Sequence, residues 1–203
     1  MNLSAIQIDG AALAGKQAKI LSNEQLDDLL LFASTTRYPV RNRVIVLLSL
    51  KAGLRAGEIA NLTWDMVVDG SGEVGSVIEL RNDAAKKKSG RLVPIHPELG
   101  EALAHLRAGC DGRGPVVRSE RAGRMTAISV VNWFALAYRT VGLEGCSSHS
   151  GRRTFITRAA RLVHRAGGSL RDVQLLAGHR SIQTTQAYID GDSTAQRKLV
   201  GLV

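Results

Sequence analysis

Between Pro39 and Gly53 lies a segment that dictates much of the fold: from Val44 to Leu50, six of seven residues are aliphatic. A helix that is apolar on most of its sides has no face to give to water, so it is expected at the centre of the molecule. Pro39 suits the first turn of that helix and Gly53 suits its end. Other segments must cover it. Ser22-Asn23-Glu24-Gln25 has the pattern of a capping box, in which the first and last residues satisfy each other's backbone donors. The helix it opens carries Leu26, Leu29, Leu30 and Ala33.

Short alternating segments follow at Trp64 to Val68, Ser76 to Arg81 and Arg91 to Ile95. They predict a small antiparallel sheet of about three strands. Gly70, Gly72 and Gly75 match a dinucleotide-type GxGxxG. A strand follows them where that motif needs a helix, so they read as a hairpin turn. Pro97 opens another helix, with Leu99, Leu103 and Leu106 on one face. Ile128, Val131, Phe134, Ala135 and Tyr138 predict one more by their spacing. From Ser150 the chain reads as helical to near its end, with turns near Gly167-Gly168, Gly178 and Gly191. The expected fold is mostly α with a small antiparallel β-sheet insertion, an α+β arrangement. An N-terminal arm over 1–20 precedes one domain over 21–203, whose tail forms a helix over 192–203.

Charge gives the first hint of function. Lys and Arg number 27 against 18 Asp and Glu, a formal charge of +9. That balance favours polyanionic partners through field and counterion release. Aromatic residues are only 4% of the chain, which disfavours a single-strand binder built on stacking platforms. No stretch approaches the roughly 18 apolar residues of a membrane span, and Met1 to Gly10 lacks the pattern of a secretory signal. Two cysteines, Cys110 and Cys146, make no disulfide framework, and a reducing cytoplasm is the expected setting. Acidic residues are scattered, with no cluster to hold two metal ions. No metal and no cofactor is expected.

Without a metal, breaking a phosphodiester needs fixed Arg and His donors around the phosphate, a nucleophile, and an acid for the leaving oxygen. Candidates for each are spread along the chain. Arg55 sits just past a helix end in Ala52-Gly53-Leu54-Arg55, with Glu58 one turn on to orient it. Lys86, Lys87 and Lys88 occupy a hairpin tip ahead of Arg91. His149-Ser150-Gly151-Arg152 is an HxxR at a helix start, where residues three apart share a face. His179 and Arg180 follow Gly178, and Tyr188 lies in a polar context where it is at least partly exposed. Tyr138, on an apolar face, reads as core.

Together these motifs resemble the tyrosine recombinases, or phage-type integrases. The likeness covers roughly residues 21 to 190. AGLRAGEIANLTW is similar to the family's first arginine box, KKKSGRLVP to its β-hairpin lysine segment, and HSGRRTF with VQLLAGHRSIQTTQAYI to its second box. The resemblance implies that 21–203 is a catalytic domain acting on double-stranded DNA. Tyr188 would attack the scissile phosphate and form a 3′-phosphotyrosyl link. Arg55 and Arg152 would clamp its oxygens, His149 would assist proton transfer and His179 would donate to the phosphate. Lys86 would be the general acid, with Lys87 and Lys88 as alternatives. Glu58 and Arg153 would support the site from behind, and Lys87, Lys88, Arg91 and Arg180 would contact DNA. The family also implies a homo-oligomer, a tetramer, on DNA, whose terminal segments dock between protomers, encoded by a bacterium, phage or mobile element.

Departures accompany the likeness. Arg153 stands where the family very often has a second histidine, and the stretch from Arg152 to His179 is somewhat long. Only about 20 residues precede the catalytic segment, where most members carry a separate helical core-binding domain. The Met1 start with no visible tag favours a naturally short protein over a truncation. Two rival readings are a type IB topoisomerase-like enzyme and a non-catalytic DNA-binding relative. His149, where the topoisomerases commonly have lysine, speaks against the first, and the full residue set speaks against the second.

Overall fold

The structure is a computed structural model that describes residues 18–85, 89–121, 123–188 and 200–201. Helix α1 (Asn23–Ser34) opens on the Ser22 capping box and buries Leu26, Leu29 and Ala33. Helix α2 (Pro39–Leu50) is buried from Val44 to Leu50 and lies between α1, α4 (Pro97–Ala108) and α6 (Ser150–Leu162). The apolar segment is central, as its lack of a solvent face requires. Gly53 turns the chain after it with φ +64°, and a side chain there would collide with the ring of Phe155. The short helix α3 (Ala56–Asn61) follows.

The sheet is smaller than the sequence predicts. Strands β1 (Val77–Leu80) and β2 (Arg91–Pro94) pair antiparallel, Val77 opposite Pro94 and Leu80 opposite Arg91. The third expected strand, at Trp64 to Val68, is a 3₁₀ turn over Trp64–Met66. Trp64, Met66 and Val67 are all buried. Burying the neighbours Met66 and Val67 on one side needs a turn, because a strand would send one of them outward. The glycines at 70–75 form a tight connection closed by a Val68–Val74 bridge.

Helix α5 (Ala127–Thr140) is also rotated from its predicted face. Val130, Phe134, Ala137 and Tyr138 are buried, whereas Ile128 is 72% exposed and Val131 39%. The helix carries two apolar stripes, and the stacked Phe134–Tyr138 pair, centroids 5.8 Å apart, lies on the inner one. Helix α6, a 3₁₀ turn (Val163–Ala166), α7 (Leu170–Ala177) and α8 (Ile182–Gln186) complete the described chain. Ile156, Ala160, Val163, Val173 and Ala177 form a second hydrophobic cluster beside the main core. Most of the 1–20 arm and of the 192–203 tail lies outside the described residues. Among those described, no helix is long and apolar enough to cross a membrane.

Candidate active site

The seam between the two clusters is polar, and its hub is Glu58. The Glu58 side chain is 1% exposed yet fully hydrogen-bonded. Oε1 accepts from Arg55 Nη1 at 2.7 Å and Arg91 Nη1 at 3.1 Å. Oε2 accepts from the Arg55 backbone N–H at 2.9 Å and Arg91 Nη2 at 3.0 Å. Four donors fill the carboxylate's lone-pair sites. Burial alone would raise its pKa, but the hydrogen bonds and charge of Arg91, then those of Arg55, bring it down to about 2. Glu58 thus stays ionised and holds Arg55 at the start of α3.

Arg152, in the first turn of α6, is 3% exposed. Nη1 donates to the carbonyl of Gly53 at 2.6 Å and Nη2 to that of Ala177 at 2.6 Å. Nη2 also lies 3.1 Å from His179 Nε2. Burial first, then the charge of Arg55, lower its pKa to about 10, so it remains a cation at neutral pH. Helix α7 ends at Gly178, whose left-handed φ of +63° turns the chain so that His179 meets Arg152. Gln174 holds that turn, accepting the His179 N–H at 3.1 Å and donating to the His179 carbonyl at 2.9 Å. His179 Nδ1 lies 3.0 Å from Oγ1 of the buried Thr185. Burial, then the charges of Arg152, Arg55 and Arg91, push its pKa down to about 4.

Arg55, His149, Arg152, His179 and Tyr188 line one cleft of about 380 Å³, with Arg153, Ser147 and Thr184 beside them. The Tyr188 ring stacks on His179, centroids 5.4 Å apart. The Arg153 guanidinium carbon lies 5.8 Å from the Tyr188 ring centroid, within reach of a cation–π attraction. His149 precedes α6 and is exposed. A larger, more apolar cavity of about 620 Å³ near Tyr38, Trp64 and Leu106 holds none of these groups. Among the described residues, no three His, Cys, Asp or Glu side chains gather as metal ligands.

Lys86, Lys87 and Lys88 lie outside the described residues. Arg180 is exposed. Arg91, expected among the DNA contacts, is instead an internal strut. Its side chain is 5% exposed, and its guanidinium is spent on Glu58 and on the Leu176 carbonyl at 2.8 Å. Sequence reasoning missed Thr185 and Gln174, which support His179. Polar residues near the end of a motif carry no mark of burial, although Thr185 sits within the very segment that carries the tyrosine.

The arrangement can bind a phosphate between fixed cations while placing a phenol hydroxyl beside them. Among the described residues, Arg152 Nε–H and one Nη1–H stay available after its three contacts, and Arg55 keeps most of its fork.

The chain matches the model of the phage integrase family over residues 19–194. It is 30% identical over 158 residues to tyrosine recombinase XerC of Brucella suis biovar 1 (strain 1330), covering 75% of this chain and 47% of that protein. It is 32% identical over 174 residues to tyrosine recombinase XerA of Thermococcus kodakarensis (strain ATCC BAA-918 / JCM 12380 / KOD1), covering 84% and 57%. The chain therefore spans about half the length of these curated relatives. Its fold is similar to the crystal structure of XerA recombinase, with TM-score 0.69 and 25% identity over 95% of this chain and 65% of that one. It also matches the Tn1549 transposon integrase in complex with a circular intermediate DNA, with TM-score 0.74 and 19% identity over 94% and 67%.

Proposed function

The chain belongs to the phage integrase family, and on that premise we propose that it cuts and rejoins double-stranded DNA at specific sites through a 3′-phosphotyrosyl intermediate. The observation that carries this reading is the convergence of Arg55, His149, Arg152, His179 and Tyr188, dispersed in sequence, on one cleft. Tyr188 Oη bonds to the scissile phosphorus as the bond to the 5′ oxygen breaks. The phenolic proton leaves toward His149, and the 5′ oxygen takes a proton from Lys86. Arg55 and Arg152 hold the non-bridging oxygens, and His179 donates to one of them. The phosphotyrosyl bond keeps the energy of the phosphodiester, so attack by a 5′ hydroxyl reseals the strand with no ATP and no redox change. Arg180, Lys87 and Lys88 meet the DNA backbone. On DNA the chain works as a homo-oligomer, a tetramer, with the 192–203 tail docked on a neighbouring protomer.

The test uses a library of nicked suicide duplexes with randomised core sequence, incubated in EDTA without ATP and resolved on denaturing gels. The unmodified chain gives a covalent protein–DNA band. Tyr188→Phe gives none, while Tyr38→Phe and Tyr138→Phe retain it. A band that survives in Tyr188→Phe refutes the assignment.

A further inference from the structure

Donor and acceptor roles around His179 follow from chemistry. A guanidinium only donates, so the contact from Arg152 Nη2 at 3.1 Å makes His179 Nε2 an acceptor. The ring is held neutral by burial and by the charges of Arg152, Arg55 and Arg91. A neutral imidazole carries one proton, which here sits on Nδ1 and points at Thr185 Oγ1, 3.0 Å away. In the free chain His179 is therefore polarised the wrong way round to donate from Nε2 to a phosphate. Thr185 is fully buried, and its hydroxyl is the group paired with the far side of the ring.

We infer that Thr185 is a positioning residue that lets His179 reverse its hydrogen-bond polarity when a phosphate enters the cleft. In the free chain the hydroxyl accepts from Nδ1–H. When a phosphate oxygen approaches Nε2, that nitrogen takes a proton in one of two ways. Either the ring takes a proton from solvent to become an imidazolium and Nδ1–H keeps donating to Thr185, or Nδ1 releases its proton to solvent as Nε2 takes one up, and the hydroxyl rotates to donate to Nδ1. A carbonyl could serve only the first state and an amide N–H only the second, whereas a hydroxyl serves both. Arg152 from α6, Thr185 from α8 and Tyr188 touch the ring, and the charges of Arg55 at the start of α3 and Arg91 from β2 also act on it. An anion entering among three arginines offsets the charges that keep the imidazole unprotonated. The donor half of this inference rests on the assignment of His179 to the phosphate.

Long-range ¹H–¹⁵N correlation spectra of the ¹⁵N-labelled chain read which imidazole nitrogen carries the proton, with His179→Gln assigning the signal. At neutral pH the free chain shows the proton on Nδ1. Saturation with a duplex oligonucleotide at low salt adds a proton at Nε2. Thr185→Ser preserves both states and the rate of the covalent step. Thr185→Val keeps the shape and, because Arg152 still donates to Nε2, the free-chain tautomer, but it leaves Nδ1 without a partner, so less Nε2 is protonated on the duplex and adduct formation slows about tenfold. A free chain with its proton on Nε2 overturns the inference even if the valine variant fails to fold. So does a complex whose Nε2 stays unprotonated, or a folded valine variant whose spectrum on the duplex matches that of the serine one. An adduct that persists in Tyr188→Phe refutes the recombinase reading instead and leaves the free-state tautomer standing.

Discussion

At the edge of the cleft one carboxylate orients two arginines, and its loss has consequences that can be separated from catalysis. Glu58→Gln leaves Arg91 buried without its counter-charge, and removing one partner of a buried pair costs about 3–5 kcal/mol. Urea unfolding at neutral pH measures it. The pH dependence carries a second signature. Glu58 has a depressed acid pKa, so its contribution is full above its ordinary 4.5 and is lost as pH falls toward about 2. His179 is a base with a depressed pKa, so the unfolded chain binds the extra proton between 6.5 and about 4, and stability again falls with pH. His179→Gln therefore flattens the upper window of the stability–pH curve and Glu58→Gln the lower one. Identical curves for the two variants would contradict the assignment. Arg55, His149, Arg152, His179 and Tyr188 could be picked out of the sequence because each stands in a short motif whose residue types suit phosphate chemistry. The strut role of Arg91 could not, because its partners Glu58 and Leu176 lie 33 and 85 residues away.

Elements were legible where one periodicity dominated. Helix α2 has no polar face, so its placement followed from composition alone. Helix α5 offers two apolar stripes, and local spacing cannot choose between them; only packing against α1 and α3 does. The choice is testable. Val130 is fully buried and Ile128 is 72% exposed. Val130→Ala should cost about 2 kcal/mol, and Ile128→Ala less than about 0.5 kcal/mol, both by denaturant unfolding. The reverse order would restore the face first read from the sequence. The 3₁₀ turn at Trp64–Met66 escaped for a related reason. A run of large apolar residues mimics a strand until the burial of adjacent side chains is known.

For the whole molecule, a charge of +9 predicts that the proposed affinity for DNA falls steeply with salt. Each phosphate contact contributes about −0.9 to the slope of log K against log salt. Arg180→Ala should reduce that slope by about one contact while leaving the fold intact, as fluorescence anisotropy on a labelled duplex would show. An unchanged slope would remove Arg180 from the interface. Arg91→Ala should act through unfolding instead, since its guanidinium is already spent inside. The same internal ties have a wider meaning. Arg152 bonds Gly53 of the main core to Ala177 of the second cluster, and Arg91 bonds Glu58 to Leu176. The fasteners that join the two cores are thus neighbours of, or identical with, the groups assigned to the phosphate. A nascent or damaged chain whose second cluster has come loose loses the ties of Arg152 to Gly53 and of Arg91 to Leu176 together with its shape. On the recombinase reading proposed above, such a chain would be a blunt blade, and the act of folding itself would be the safeguard against stray cutting.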